Sequence, residues 1–187
     1  LDDLVKYLNP GRKRHIEFKI VSWLIIVNVI VSLAGIILFN ASPKFLDYFA
    51  LKPNNILDGQ YLWTLVTHMF FHGSFLHLLV NMIALFSLGR LCEMIIGKKR
   101  FFWFYLIAGI FAGLISVLFS GFFGTGIFEK VFGGADFYMV GASGAIFGVA
   151  GLFVILLPRL KFTIIFLPFF SFPAYIMVPL VLVLTWA

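Results

Sequence analysis

Long apolar stretches alternate with short polar segments along most of the chain. Each uncharged stretch can hold a helix of the about 20 residues that cross the hydrocarbon core of a bilayer. These stretches are residues 20–43, 59–89, 101–128, 137–158 and 162–187. The pattern predicts five helices, at residues 21–39, 72–96, 101–122, 143–157 and 174–187. The predicted fold class is therefore all-α, a polytopic helical bundle in a membrane.

Composition strengthens this interpretation and limits the number of domains. The chain has 187 residues, of which 62% are hydrophobic and 12% charged, and its mean hydropathy is +1.07. Soluble domains usually contain about twice that charged fraction. The length suits one compact membrane domain over residues 1–187. A net charge of +6 could indicate nucleic acid, but the charges lie between apolar runs, so we expect the lipid bilayer as partner and no nucleic acid.

The distribution of basic residues predicts the orientation of the bundle. Eleven Lys and Arg residues lie before the first apolar stretch, between the second and third stretches, and between the fourth and fifth, against three in the remaining connections. Cytoplasmic loops carry such an excess. We therefore expect a multi-pass protein of the cell membrane with residues 1–19 in the cytoplasm. Residues 40–71 would then form a membrane-associated loop on the outer side.

Two polar clusters interrupt the apolar pattern. The first, Thr67 to Asn81, contains three of the four histidines, and His77 and Asn81 are spaced to share one helix face. The second, Gly141 to Gly148, places Ser143 where a Gly-rich linker becomes helix. The free N–H groups of a helix N-terminus stabilise negative charge. At helical rise, Ser143 and His77 lie at overlapping depths of about 20–30 Å from the cytoplasmic charges, so they can meet below the outer surface.

Each cluster also has a structural interpretation. Gly144 and Gly148 form a Gly-x₃-Gly pair, as do Gly109 and Gly113, and such pairs most often mark close helix packing. His68 and His72 are spaced like half a zinc site, but no carboxylate lies nearby and Cys92 is the lone cysteine. We expect no metal. A small transporter is a further alternative, which the lack of a repeat and of paired internal charges disfavours.

Taken together, the clusters resemble the signature of the rhomboid family of intramembrane serine proteases. The matching residues are His72, His77 and Asn81, then Gly141, Ser143 and Gly144. Glu93, in Gly-Arg-Leu-Cys-Glu-Met-Ile-Ile-Gly, resembles the family's Gly-x₃-Glu-x₃-Gly at the inner end of the second core helix. The resemblance covers nearly the whole chain, and it implies a bundle of six core helices, of which this sequence would contain five.

The resemblance implies a mechanism and a substrate class. Ser143 would be the nucleophile, and His77, Asn81 and the backbone N–H of Ser143 would form the oxyanion hole. His72, Gly141 and Gly144 would support the site. The substrates would be single-span membrane proteins cut near the outer face, and no cofactor would be needed. The alternative is a catalytically inactive rhomboid-like protein that binds membrane clients.

Three features depart from the family pattern. Trp63-Thr64 stands where the family usually has Trp-Arg, and Phe147 stands where some members have Tyr. The third departure concerns the general base that a serine nucleophile needs. The family supplies it from a histidine on the sixth helix, and this sequence contains no histidine after His77. We expect that histidine beyond Ala187, because the last apolar run breaks off short.

Overall fold

The computed structural model of the protein describes residues 19–42, 44–124, 126, 129, 133–159, 161–164, 167–173 and 175–176. Its described elements are seven helices and two strands, in chain order α1 (Ile20–Ala41), α2 (Phe45–Phe49), α3 (Pro53–Leu57), α4 (Thr64–Thr67), α5 (Phe75–Ile96), α6 (Lys98–Phe123), α7 (Ser143–Leu156), β1 (Lys161–Ile164) and β2 (Leu167–Pro173).

Helices α1, α5 and α6 are long and apolar enough to cross a membrane, and α7 is a shorter apolar helix of 14 residues. They confirm the first four predicted helices. Many large apolar side chains on their outward faces are exposed, such as Ile37 (71%) and Phe122 (77%). The interior instead contains tightly packed aromatic residues and several polar side chains, including Asn28 and Ser32. Apolar outside and partly polar inside is the arrangement expected of a bundle that faces lipid.

Helix α5 begins later than predicted and changes its winding midway. We expected it to start at residue 72, but it starts at Phe75 because the Ser74 side chain caps it, accepting a hydrogen bond from the His77 backbone N–H at 3.2 Å. Residues Leu85–Gly89 form one π-helical turn. At Gly89 a Cβ would lie 3.1 Å from side-chain atoms of Leu85, Phe101 and Val21, so a larger residue would have to push these side chains by a few tenths of an ångström.

Small residues bring α6 and α7 into close contact. A Cβ on Gly144 would lie 2.7 Å from the Cβ of Ala112, and one on Gly148 would lie 2.6 Å from the Cβ of Ala108. Both distances are below van der Waals contact, so the two helix backbones approach as closely as they do because no side chain intervenes. The packing interpretation of the Gly144–Gly148 pair is therefore correct, whatever else Gly144 does.

The segment between α1 and α5 folds back over one end of the bundle. It consists of α2, α3 and α4 with a 3₁₀ turn at His68–Phe70. Backbone hydrogen bonds join it to the segment before α7: Leu51 and Met139 exchange two (2.9 and 2.8 Å), and Asn54 N–H donates to Ala135 (3.0 Å). The two connections thus meet in the segment that precedes α7.

The hairpin after α7 was not predicted. Strands β1 and β2 are antiparallel, with Lys161 opposite Pro173 and Phe162 opposite Phe172. The sequence favours it locally, since β-branched and aromatic residues are common here and Pro168 and Pro173 would interrupt a helix. The apolar run 162–187 is therefore not one continuous span. Of the predicted helix 174–187, only residues 175 and 176 are described, and both are helical.

Candidate active site

His72 lies in the loop before α5 and joins three parts of the chain. Its Nδ1 is 2.8 Å from Oγ of Ser32 on α1, and its Nε2 accepts a hydrogen bond from the Ala142 N–H at 3.3 Å. The Ser32 hydroxyl is also 3.0 Å from the carbonyl oxygen of Phe70. Burial, and secondarily the charge that His77 can carry, lowers the pKa of His72 to about 4. The residue is therefore neutral at pH 7 and fixes the backbone next to Ser143.

His77, Gly141 and Ser143 converge on one point. The position that a Cβ would occupy on Gly141 is 2.7 Å from His77 Cε1, 2.9 Å from His77 Nε2 and 3.8 Å from Ser143 Oγ. Gly141 has φ of +128°, a conformation that L side chains rarely adopt. Glycine is thus required here both by the backbone angle and by the imidazole. The His77 ring also packs edge-on against His72, with centroids 5.0 Å apart.

Ser143 occupies the first turn of α7, and the Gly-rich linker ends where that helix starts. The first N–H groups of an α-helix have no partner within the helix and carry its positive dipole end. Ser143 and His77 are both partly exposed, unlike the buried His72 and Asn81. Among the described residues, neither the Ser143 hydroxyl nor the His77 ring nitrogens have a hydrogen-bond partner. Both groups can therefore bond to a molecule that enters from outside.

Asn81 lies one turn below His77 on α5. Its Nδ2 donates a hydrogen bond to the carbonyl oxygen of His77 at 2.8 Å, and its side chain is buried. A carboxamide has two N–H donors, so the second remains for another acceptor. The sequence prediction that His77 and Asn81 share a face is confirmed by this contact.

His68 is separate from this group. Its Nδ1 donates to the Thr64 carbonyl oxygen at 2.7 Å, and the ring lies against α6, where a Cβ on Gly113 would be 3.2 Å from its Cε1. Burial lowers the pKa of His68. His68 is the first residue of the 3₁₀ turn and His72 follows that turn, and the two have different partners, so they do not form the helical pair that a zinc site would use. The described residues contain no group of three potential metal ligands.

Polar contacts with Asp47 and Lys52 hold the segment before α7, which contains Asp136 and Tyr138. The Tyr138 hydroxyl donates to Oδ1 of Asp47 at 2.6 Å. Lys52 pairs with Asp136 at 3.0 Å, and its ammonium lies 5.4 Å from the centre of the Tyr138 ring. The hydrogen bond from Lys52 lowers the pKa of Asp136. These residues fix the strand-like segment that leads into Gly141.

Comparison with known proteins assigns this sequence to a family. The model of the rhomboid domain matches residues 59–187, which include α4 to α7. Of the site residues described above, only Ser32, Asp47 and Lys52 lie outside this match. This chain belongs to the rhomboid family. It is a membrane protein with a mostly helical fold, as the apolar pattern predicted.

Two relatives illustrate the range of the similarity. Rhomboid protease GluP of Bacillus subtilis (strain 168) is 34% identical over 125 residues, which are 66% of this chain and 22% of that protein. RHOMBOID-like protein 5 of Arabidopsis thaliana is 35% identical over 109 residues, 58% of this chain and 31% of that protein. The matched part spans less than half the length of the curated relatives.

Sequence reasoning missed Ser32 and the contacts of Tyr138. Ser32 lies in an otherwise apolar helix, four residues after Asn28, and both are fully buried. Polar residues inside a membrane span usually face the bundle interior, and this signal could have indicated that face of α1. No comparable signal marks Tyr138, because its partner Asp47 is 91 residues away in the sequence.

Proposed function

We propose that the protein is an intramembrane serine endopeptidase that cuts transmembrane segments of single-span membrane proteins. The observation that best supports this is the common point at Gly141, around which the Ser143 hydroxyl and the His77 imidazole lie within 4 Å. A serine nucleophile, with a helix N-terminus and an imidazole that can donate to an oxyanion, supplies part of what acyl transfer requires, and the general base is the remaining part. Membership of a family that includes a protein named as a rhomboid protease supports the same reaction.

In this mechanism the Ser143 Oγ attacks the scissile carbonyl carbon and the carbonyl oxygen becomes an oxyanion. His77, Asn81 and the Ser143 N–H donate hydrogen bonds to that oxygen. Donors of this kind typically contribute about 10²–10³ each in rate. The proton of Ser143 goes to a general base, which then returns it to the leaving amine.

We assign the base to a histidine beyond Ala187, as the family resemblance implies. His72 is unsuitable in the observed arrangement, because its Nε2 accepts from Ala142 and its Nδ1 faces Ser32. We further propose that the protein is a multi-pass protein of the cell membrane with its N-terminus in the cytoplasm. The Ser143 end would then face outward, and no metal or other cofactor would take part.

Covalent labelling of the full-length gene product in lipid vesicles tests the proposal. A fluorophosphonate probe should label the protein, and Ser143→Ala should abolish the label. Ser87→Ala is the matched control, since Ser87 is an exposed serine on α5 whose hydroxyl donates to Ile83 at 2.8 Å. It should label normally.

Two results would overturn the proposal. Labelling that persists in Ser143→Ala would place the nucleophile elsewhere. A folded full-length protein that neither labels nor cuts a single-span substrate would instead support the alternative, a catalytically inactive rhomboid-like protein that binds membrane clients.

A further inference from the structure

Three hydrogen bonds in series connect α1 to the residue before Ser143. They run from the Phe70 carbonyl to Ser32, from Ser32 to His72, and from His72 to the Ala142 N–H, at 3.0, 2.8 and 3.3 Å. Ser32 is fully buried and lies 40 residues from His72 in the sequence. The directions of these bonds can be deduced from which atoms carry hydrogens.

The bonds at both ends of the series determine the same tautomer of His72. A carbonyl oxygen only accepts, so the single hydroxyl hydrogen of Ser32 goes to Phe70. The Ser32 oxygen must then accept from His72, which places a hydrogen on Nδ1. At the other end the Ala142 N–H is a donor, so Nε2 must carry a lone pair. Two independent contacts thus require a neutral His72 protonated on Nδ1.

The position of Ala142 gives this series its functional meaning. Ala142 is followed directly by Ser143 and preceded by Gly141, which has a φ of +128° and contacts His77. The backbone on either side of Ala142 is also held, by the hydrogen bond from Gly141 N–H to the His68 carbonyl at 2.9 Å and by the start of α7 at Ser143. Rotation of His72 would release the Ala142 peptide and also remove the ring that packs on His77.

We propose that Ser32 is a positioning residue for the nucleophile, acting through the Nδ1–H tautomer of His72 on the Ala142–Ser143 peptide. The proposal rests on the proposed function of Ser143 and extends the site to α1, outside the part of the chain that the family model matches. Ser32 contacts no reacting atom. Together with the Ala142 N–H, it favours the His72 tautomer whose Nε2 accepts, and it holds the ring that positions the Ser143 hydroxyl and N–H.

Nuclear magnetic resonance of the full-length protein, with its histidines labelled with ¹⁵N, tests the tautomer independently of activity. The His72 signals, assigned by their loss in His72→Gln, should report a neutral ring with hydrogen on Nδ1. In Ser32→Ala that preference should weaken, since the acceptor for Nδ1–H is gone and only the Ala142 N–H still favours this tautomer. Ser87→Ala should leave the His72 signals unchanged, because Ser87 bonds only within its own helix. A wild-type ring protonated on Nε2 would overturn the proposal.

The labelling kinetics test the positioning role. Ser32→Ala should slow the maximal rate of fluorophosphonate labelling about tenfold, the order expected for one buried hydrogen bond, with little change in the probe concentration for half-maximal rate. Ser32→Cys keeps the volume with a weaker acceptor and should be intermediate, which also covers the case that Ser32→Ala does not fold. Wild-type labelling kinetics in both folded variants would overturn the proposal. An unlabelled wild-type protein with the Nδ1–H tautomer would instead contradict the proposed function alone.

Discussion

Helix α5 carries polar residues at both ends, and the two ends differ in how completely those residues are bonded. At one end Glu93 is buried, and its two carboxylate oxygens accept from the N–H groups of Ile20 and Val21 at 2.9 and 3.0 Å. At the other end His77 is partly exposed, and its ring nitrogens have no partner within the described ranges.

The difference distinguishes the structural role of Glu93 from the chemical role proposed for His77. Glu93 satisfies two N–H groups in the first turn of α1, where negative charge is also favourable, and so joins α5 to α1. Its hydrogen-bonding capacity is used inside the fold. The capacity of His77 is directed to a place that Ser143 also borders. Resemblance to a motif marks both residues equally, and only their surroundings distinguish them. Four substitutions test this distinction, from the largest expected effect to the smallest.

The largest effect is expected for Gly141→Ala. The new Cβ would have to occupy a φ of +128° and lie 2.7 Å from the His77 ring. Backbone strain of about 1–3 kcal/mol and overpacking of a similar size would both destabilise the folded variant. Both labelling of Ser143 and the thermal unfolding midpoint should fall strongly. Gly151→Ala is the control, since a Cβ there meets nothing within 4 Å, and it should leave labelling unchanged. Normal labelling of Gly141→Ala would contradict the geometry described here.

His77→Ala should reduce the labelling rate by about 10²–10³ through loss of an oxyanion donor. Stability should change little, because the ring makes no hydrogen bond among the described residues. Leu76→Ala, at an exposed neighbouring position on α5, serves as the control and should affect neither quantity. If His77→Ala lowers the unfolding midpoint strongly but labels at the normal rate, then His77, like Glu93, has a structural role.

Glu93→Gln should lower stability and leave the labelling rate unchanged, the reverse of the effects expected for His77→Ala. The amide can accept with one oxygen only and turns its NH₂ group toward an N–H donor, at a cost of about 1.5–3 kcal/mol in unfolding free energy. The labelling rate of the folded protein should stay at the wild-type level. Asp58→Asn makes the same chemical change at an exposed site and should be neutral. Slower labelling without loss of stability would show that Glu93 influences the chemistry directly.

Tyr138→Phe should have the smallest effect. It removes the hydrogen bond to Asp47 but keeps the ring beside Lys52, so we expect a loss of about 0.5–1.5 kcal/mol. Burial, followed by the Asp47 carboxylate, raises the pKa of Tyr138 to about 12. The contribution of this bond is therefore fully present below the ordinary pKa of 10.0 and is lost as the pH rises through about 12. Denaturant titration at pH 7 should show this loss, and equal stability of the wild-type protein and Tyr138→Phe would contradict the prediction.

The sequence alone determined the membrane environment, the first four helices and the grouping of His77 and Asn81. These follow from local rules: apolar runs of a given length must satisfy their backbone within helices, and residues four apart share a face. The family signature likewise depends on short spacings that can be read directly. The apolar run alone places the start of α5 at residue 72, whereas the Ser74 cap sets it at Phe75.

Only the tertiary structure decided which polar residues act together. Ser32 and His72 are 40 residues apart, Glu93 and Ile20 are 73 apart, and no periodicity links such pairs. Their contacts arise from how closely the helices pack, which depends on small residues such as Gly89 and Gly148. The sequence supplied the chemical groups, and the packing of the bundle determined which of them are saturated inside it and which, like His77 and Ser143, remain available at its edge.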